Sequence, residues 1–105
     1  MSLLPWSFAA ALGLGVMTTS AVWAASPPAM VSLCSSCHGP AGISPSPTFP
    51  SIAGQNEGYI AYALGQYKDH QRLGTQAAIM SNVAVQLSPA DIQSLAAYYA
   101  SLKRP

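Results

Sequence analysis

The pentapeptide Cys34-Ser35-Ser36-Cys37-His38 constrains this chain more than any other feature of its sequence. The pattern C-x-x-C-H is typical of sites where a c-type haem is attached covalently. Two thiols three positions apart share one helical turn, so both can add to vinyl groups on the same porphyrin edge. The histidine that follows can then bind the iron from one face of the ring. The motif predicts one covalent haem c, with Cys34 and Cys37 as attachment points and His38 as an iron ligand.

Three other structures could use the same cysteines: a disulfide, a thioredoxin-like redox pair, or half of a zinc site. A redox pair of that kind follows a strand in an α/β domain, and no strand–helix alternation surrounds this motif. A zinc site would need two further ligands, and only His38 and His70 could supply them. The specific five-residue pattern therefore favours haem over these alternatives.

Charged side chains are scarce throughout the chain. They make up 7% of the 105 residues, the formal net charge is +1, and the first of them is Glu57. A nucleic-acid-binding protein would carry a patch of Lys and Arg, so this composition excludes nucleic acid as a partner. The length is that of one small domain.

The first 25 residues have the pattern of a secretory signal peptide. Residues 8–16 form an apolar run, and residues 22–25 supply the small side chains that precede a cleavage site. We predict cleavage after Ala25, with Ala24 as the alternative. Residues 1–25 are then the signal peptide and residues 26–105 a domain located in the periplasm.

An uncleaved membrane anchor is the alternative for this segment, because residues 3–25 could just cross a bilayer of about 30 Å. Two glycines and a polar Thr-Thr-Ser stretch weaken that interpretation, and no basic residue flanks the segment. After cleavage we expect no stable membrane insertion.

The remaining sequence predicts an all-α domain with three main helices. The first covers residues 28–37 and the second residues 56–71, each ended by glycine-containing sequence. The third begins at Ser88-Pro89-Ala90-Asp91, which has a cap residue, a proline and an acid in the expected order. Between the first two helices, residues 39–56 contain four prolines and predict an ordered loop over the haem edge.

A second iron ligand must come from outside the pentapeptide. After His38, the candidates are Met80 and His70. We interpret residues 75–87 as a looser segment, from which Met80 could point inward, whereas His70 lies among polar residues near a helix end. Position and ligand chemistry favour Met80, although a lone methionine can equally be an ordinary core residue.

Taken together, residues 28–102 resemble the class I cytochromes c, in particular the short bacterial single-haem type. The resemblance includes the haem motif, residues 49–55, the helix at 59–72, Ala78-Ile79-Met80, and residues 87–99. It implies a small all-α fold with three main helices around one covalently attached haem. It also implies an electron carrier rather than an enzyme.

The resemblance further implies roles for single residues. Met80 corresponds to the second iron ligand, and Pro50 to the proline whose carbonyl accepts a hydrogen bond from the ligating imidazole. Ile52 corresponds to a residue packed on the haem face and Tyr98 to one where the terminal helices cross. Arg72 corresponds to a basic residue at a haem propionate.

The chain departs from the family pattern at two positions. Ala63 stands where glutamine is frequent, which leaves the polar contacts near the propionates open. Val83 replaces a second methionine, which leaves Met80 as the clearer ligand.

Three functions fit these features. The first is a periplasmic electron shuttle, monomeric, between redox partners such as a membrane cytochrome complex, an oxidase or a dehydrogenase. The second is a haem c subunit of a multi-subunit oxidoreductase, relaying electrons from its catalytic chain. The third is a gas sensor or peroxidase-like protein, which requires Met80 to dissociate.

Overall fold

In the computed structural model, which describes residues 2–18 and 27–105, the domain is built from helices alone. The four helices are α1 Val31–His38, α2 Glu57–Lys68, α3 Thr75–Ala84 and α4 Pro89–Ser101, and the described residues contain no strand. The predicted all-α class is confirmed. Residues 2–18 form no helix and their side chains are exposed. The predicted cleavage site at residues 22–25 lies outside the described residues.

No helix in the described ranges is long and apolar enough to cross a membrane.

The first helix begins three residues later than predicted. The N–H of Val31 bonds to the carbonyl of Pro28 at 3.0 Å, so residues 28–31 form a turn rather than helical backbone. The helix then runs through the haem motif and ends at His38. Both cysteines and the histidine therefore lie on one short, continuous helix.

The second helix ends at Lys68, three residues before the predicted end. His70 adopts a φ of 55°, in the left-handed region, which a continuing α-helix does not allow. The start is as predicted, because the side chain of Asn56 accepts a hydrogen bond from the N–H of Tyr59 at 2.9 Å.

The prediction of a loose segment at residues 75–87 was wrong. Residues 75–84 form α3, which contains neither proline nor glycine and begins directly after Gly74. The helix carries no charged residue and no side-chain cap, so the start signals that marked the other helices are missing here. Packing against α2 supplies the stabilisation that its ends do not.

The last helix confirms its predicted start at Ser88. The Ser88 hydroxyl accepts a hydrogen bond from the N–H of Asp91 at 3.0 Å, and the Asp91 carboxylate accepts one from the N–H of Ser88 at 2.9 Å. This reciprocal pair is a capping box. It fixes the direction in which α4 enters the core.

The core lies where α2 and α4 pack together. One buried cluster joins residues from α1, α2, α4 and the segment before α4: Val31, Ile60, Leu87, Ile92, Leu95, Ala96 and Tyr99. Lys68 also joins these elements, because its ammonium donates a hydrogen bond to the carbonyl of Leu87. Lys68 is accordingly half-buried, although a lysine near a helix end is usually solvated.

The predicted loop at residues 39–56 is held by hydrogen bonds at several points. The carbonyl of Gly42 accepts from the N–H groups of Ile52 and Ala53, at 2.8 and 3.0 Å. The N–H of Gly54 bonds to the carbonyl of Tyr99 in α4 at 2.8 Å. The loop is thus tied both to itself and to the last helix, and it forms one wall of the site.

Candidate functional site

A cavity of about 380 Å³ lies between the haem motif, the 39–56 loop and the other three helices. Its volume falls in the range of roughly 300–1,000 Å³ that is usual for cofactor and ligand sites. Most of its lining is apolar. Every site residue predicted from the sequence lines it: Cys34, Cys37, His38, Pro50, Ile52, Arg72 and Met80.

His38 is the last residue of α1 and is 8% exposed. Its Nδ1 lies 2.6 Å from the carbonyl oxygen of Pro50. Because a carbonyl can only accept, Nδ1 is the protonated nitrogen and donates this bond. In the neutral imidazole Nε2 then carries the free lone pair, which is the tautomer that a metal ligand requires.

The chain turns away from the site directly after His38. Gly39 has a φ of 86°, and a Cβ at this position would collide with the backbone carbonyl of Ile43. Only glycine fits both the backbone angle and the space. Gly39 thus lets the loop fold back over the imidazole and bring the Pro50 carbonyl to it.

The two cysteines are half-buried and are not joined to each other. The Cys34 thiol donates to the carbonyl of Met30 at 3.5 Å. Desolvation raises the pKa of the Cys34 thiol, and the neighbouring Tyr99 hydroxyl partly offsets that rise. Two unpaired thiols on the cavity wall argue against the disulfide alternative.

Met80 reaches the cavity from α3, where its side chain is half-buried. His70 does not reach it: this residue is exposed and lines a separate groove with Leu73, Gly74 and Ser81. Of the two candidate ligands, the structure places only Met80 in the same cavity as His38.

Arg72 is the one charged residue among those that line the cavity. Its guanidinium donates to the side-chain oxygen of Gln66 at 3.1 Å and to the hydroxyls of Tyr67 and Tyr59 at 3.1 and 3.3 Å. It also lies over the Tyr67 ring, 4.8 Å from the ring centroid. The tyrosine hydrogen bonds raise the pKa of Arg72. Three polar side chains thus hold Arg72 at the cavity wall.

Several cavity residues were missed by the sequence analysis. Tyr59 and Tyr67 lie four residues before and after Ala63 on α2, and the two rings complete one stripe along the wall. That spacing was visible in the sequence and could have identified them. The helical period of Ile92, Leu95, Ala96 and Tyr99 predicts that Tyr99 is buried, but it does not show that Tyr99 lines the cavity. The structure buries Tyr99, at 2% exposed, and leaves Tyr98 half-buried against the same core.

These residues fit a covalently bound haem. The cavity combines two thiols on one helical turn, an imidazole with a free Nε2, a thioether, apolar walls and one cation. Two thiols and an axial imidazole are what covalent haem c attachment requires, and a thioether and apolar walls suit a His/Met-ligated form. In residues 2–18 and 27–105, no group of three or more His, Cys, Asp and Glu side chains comes together to hold a bare metal ion.

Comparison with known proteins gives a consistent result. The family model described as cytochrome c matches residues 28–103. Cytochrome c-554(548) of Halomonas halodenitrificans is 39% identical over 71 residues, which cover 68% of this chain and 86% of that protein.

Two longer relatives match over most of this chain but less of their own length. Cytochrome c4 of Pseudomonas aeruginosa is 38% identical over 92 residues, or 88% of this chain and 44% of that protein. The thiosulfate dehydrogenase electron acceptor of Thiomonas intermedia is 40% identical over 95 residues, which cover 90% of this chain and 42% of that protein. This chain therefore spans less than half the length of these two proteins.

A solved structure shares the fold. Reduced recombinant cytochrome c4 from Pseudomonas stutzeri superimposes with a TM-score of 0.61 and 34% sequence identity. The match covers 67% of this chain and 38% of the other.

Proposed function

Because this chain belongs to the cytochrome c family, we propose that it carries single electrons on one haem whose iron is ligated by His38 and Met80. The family assignment confirms the predicted resemblance, the covalent haem c and the class of electron carrier rather than enzyme. One observation carries the ligand proposal: a single cavity is lined by both thiols, the His38 imidazole and the Met80 side chain. Ligation on both faces leaves no open iron position for oxygen or peroxide chemistry.

The motif residues would hold the haem from one side of the cavity. Cys34 and Cys37 would form its thioether bonds, and Nε2 of His38 would bind iron while Nδ1 keeps its bond to Pro50. That hydrogen bond fixes the ring orientation and increases the basicity of the ligating nitrogen. The haem itself supplies an iron centre that gains and loses one electron reversibly.

Two further residues would contact the haem periphery. Ile52 lies on the cavity wall, half-buried, where its side chain can pack against the ring. Arg72 is the only cation on that wall, and three hydrogen bonds from its side chain hold it in place. A fixed guanidinium is well suited to pair with a carboxylate, so Arg72 would meet a haem propionate.

The partners of this chain are redox proteins. We propose that it exchanges electrons with a membrane cytochrome complex, an oxidase or a dehydrogenase in the periplasm. The apolar composition of residues 1–25 supports export, since residues 2–18 place their large apolar side chains in solvent rather than in the core. Mass spectrometry of the mature protein from its own host tests this: its N-terminus should be Ser26, and an intact residue 1 would contradict export with cleavage.

The test of the haem assignment is extraction with acid and organic solvent. Both thioether bonds survive that treatment, so the native protein should retain its haem, and a one-electron titration should be fully reversible. Release of the haem into the organic phase would overturn the attachment through Cys34 and Cys37.

A second candidate is a haem c subunit that relays electrons within a multi-subunit oxidoreductase. The relative named as an electron acceptor of thiosulfate dehydrogenase favours it, because that name links a similar chain with one catalytic partner. Purification from native extracts separates the two: a shuttle elutes as a monomer, whereas a subunit elutes with a catalytic chain.

A further inference from the structure

The hydroxyl of Tyr99 is buried without a hydrogen-bond partner in the described part of the chain. The residue is 2% exposed and belongs to the core cluster. A buried polar group that lacks a partner lowers the folding equilibrium constant, by about five- to 150-fold. Phenylalanine would fill the same space without that cost, so the hydroxyl calls for an explanation.

The Tyr99 ring cannot turn away to find a partner elsewhere. Its backbone carbonyl accepts a hydrogen bond from Gly54, and a Cβ on Gly42 would lie only 3.1 Å from the ring. The Tyr98 ring packs edge-on against it, with centroids 5.2 Å apart. The position of the hydroxyl is thus fixed by the loop on one side and by α4 on the other.

The sulfur of Cys34 is the candidate hydrogen-bond partner for this hydroxyl. Both side chains line the haem cavity, and Cys34 packs against the cluster that contains Tyr99. Desolvation is the main cause of the raised pKa of the Tyr99 phenol. The neighbouring Cys34 thiol makes a smaller contribution in the same direction. The Tyr99 hydroxyl and the Cys34 sulfur thus belong to side chains of the same cavity wall; the hydroxyl makes no hydrogen bond there, and the Cys34 thiol donates its proton to Met30.

Haem attachment changes what this sulfur can do. When a thiol adds across a vinyl group, sulfur bonds to one vinyl carbon and the thiol hydrogen moves to the other. The thioether that results has no proton, so it can accept a hydrogen bond but cannot donate one. The hydrogen bond from Cys34 to Met30 is then lost, so the sulfur can act only as an acceptor. The Tyr99 hydroxyl is a buried donor on the same cavity wall that has no other partner.

We propose that the Tyr99 hydroxyl donates a hydrogen bond to the thioether sulfur of Cys34 in the mature protein, and so acts as a positioning residue for the haem. The inference rests on the proposed function, since it requires the haem to be attached at Cys34. A hydrogen bond to that sulfur withdraws electron density from the haem substituent and stabilises the reduced state. Hydrogen bonding around a haem is one of the means by which proteins set its potential.

The test compares Tyr99→Phe with Tyr98→Phe in the haem-loaded protein. Loss of a made hydrogen bond should raise the unfolding equilibrium constant by about two- to tenfold. It should also shift the equilibrium with a reference redox couple towards oxidised haem. The control substitution removes a hydroxyl from the neighbouring, half-buried tyrosine, which does not line the cavity, and should change neither quantity.

Two outcomes would overturn the proposal. A Tyr99→Phe protein at least as stable as the parent means that the hydroxyl has no partner even with haem attached. Reduced stability with an unchanged redox equilibrium means that the hydroxyl serves packing alone.

If Tyr99→Phe does not mature, NMR of the unaltered reduced protein decides. The proposal requires a slowly exchanging hydroxyl proton close to the Cys34 β protons, and a rapidly exchanging one contradicts it. Loss of haem from the unaltered protein on acid–organic extraction would instead refute the covalent attachment on which the proposal rests. That experiment needs neither tyrosine variant.

Discussion

Replacing Met80 by leucine removes one sulfur atom and keeps an apolar side chain of similar volume. If Met80 ligates the iron, the ferric protein should lose the near-infrared charge-transfer band of a thioether–iron bond. Its reduction potential should fall, because thioether ligation raises the potential of a haem. The reduced protein should then bind carbon monoxide readily, which the parent should not.

The size of the packing effect shows that these changes can be measured in a folded protein. Met80 is half-buried on α3, and a volume-conserving apolar exchange costs less than about 1.5 kcal/mol. Met80→Ala should cost about 2 kcal/mol, at the low end for such truncations, since part of the side chain is exposed. A domain of about 80 residues has a stability of roughly 4–12 kcal/mol, so both variants should remain folded. Urea denaturation followed by circular dichroism measures each packing cost together with that of the lost iron–sulfur bond.

The matched control is His70, the other candidate ligand. Because His70 has a φ of 55°, asparagine is the better replacement, since it tolerates the left-handed region more readily than alanine. His70→Asn should leave the band, the potential and carbon monoxide binding unchanged. The reverse pattern, in which His70→Asn abolishes the band and Met80→Leu keeps it, would refute the assignment and identify a low-potential carrier.

Three further predictions concern docking and local structure. The second-order rate of electron transfer with the native partner, measured by stopped flow, should change less than severalfold between low and physiological salt. The reason is that Arg72 is the one charged residue lining the cavity and that exposed side chains such as Ile43 are apolar. A steep fall in this rate with salt would instead indicate docking around Lys68 and Arg72. Ser88→Ala should lower the free energy of unfolding, measured by urea denaturation, by about 1 kcal/mol through loss of the capping box. Ser94→Ala, at an exposed position of α4, should not lower it. Equal losses in the two variants would contradict the role of the cap. Gly39→Ala should lower the free energy of unfolding by more than about 1 kcal/mol, because the φ of residue 39 is positive and the Ile43 carbonyl occupies the space that a Cβ would need. The control Gly65→Ala, where nothing lies near the added Cβ, should raise it. A Gly39→Ala protein as stable as the parent would contradict this reasoning.

Local sequence signals predicted those features whose causes lie within a few residues. The start of α4 was predicted correctly because Ser88 and Asp91 cap each other across one turn. The 39–56 loop was predicted correctly because its prolines exclude regular helix and strand. The helix at residues 75–84 was missed, because its ends have no such signal and its stabilisation comes from α2.

Contacts between distant residues could not be predicted in this way. Arg72 looked like one of several charges near a helix end, yet it bonds to Tyr59, thirteen residues earlier. The burial of Tyr99 rather than Tyr98 was, by contrast, visible locally, because Ile92, Leu95, Ala96 and Tyr99 recur with the helical period and share one face of α4. What the sequence could not show is that the Gly42 turn packs against the Tyr99 ring.

The helical environment of Met80 bears on the alternative in which this residue leaves the iron. A loose segment, as predicted from the sequence, could swing away from the haem and open a binding position. The structure instead places Met80 on α3, where Ser81 and Ala84 are buried and anchor the helix against its neighbours. Moving the backbone at residue 80 would expose these contacts, so only side-chain rotation could release the sulfur. If Met80 ligates the iron, a ligand fixed in this way changes little between oxidation states, which keeps reorganisation small and favours electron transfer over gas sensing.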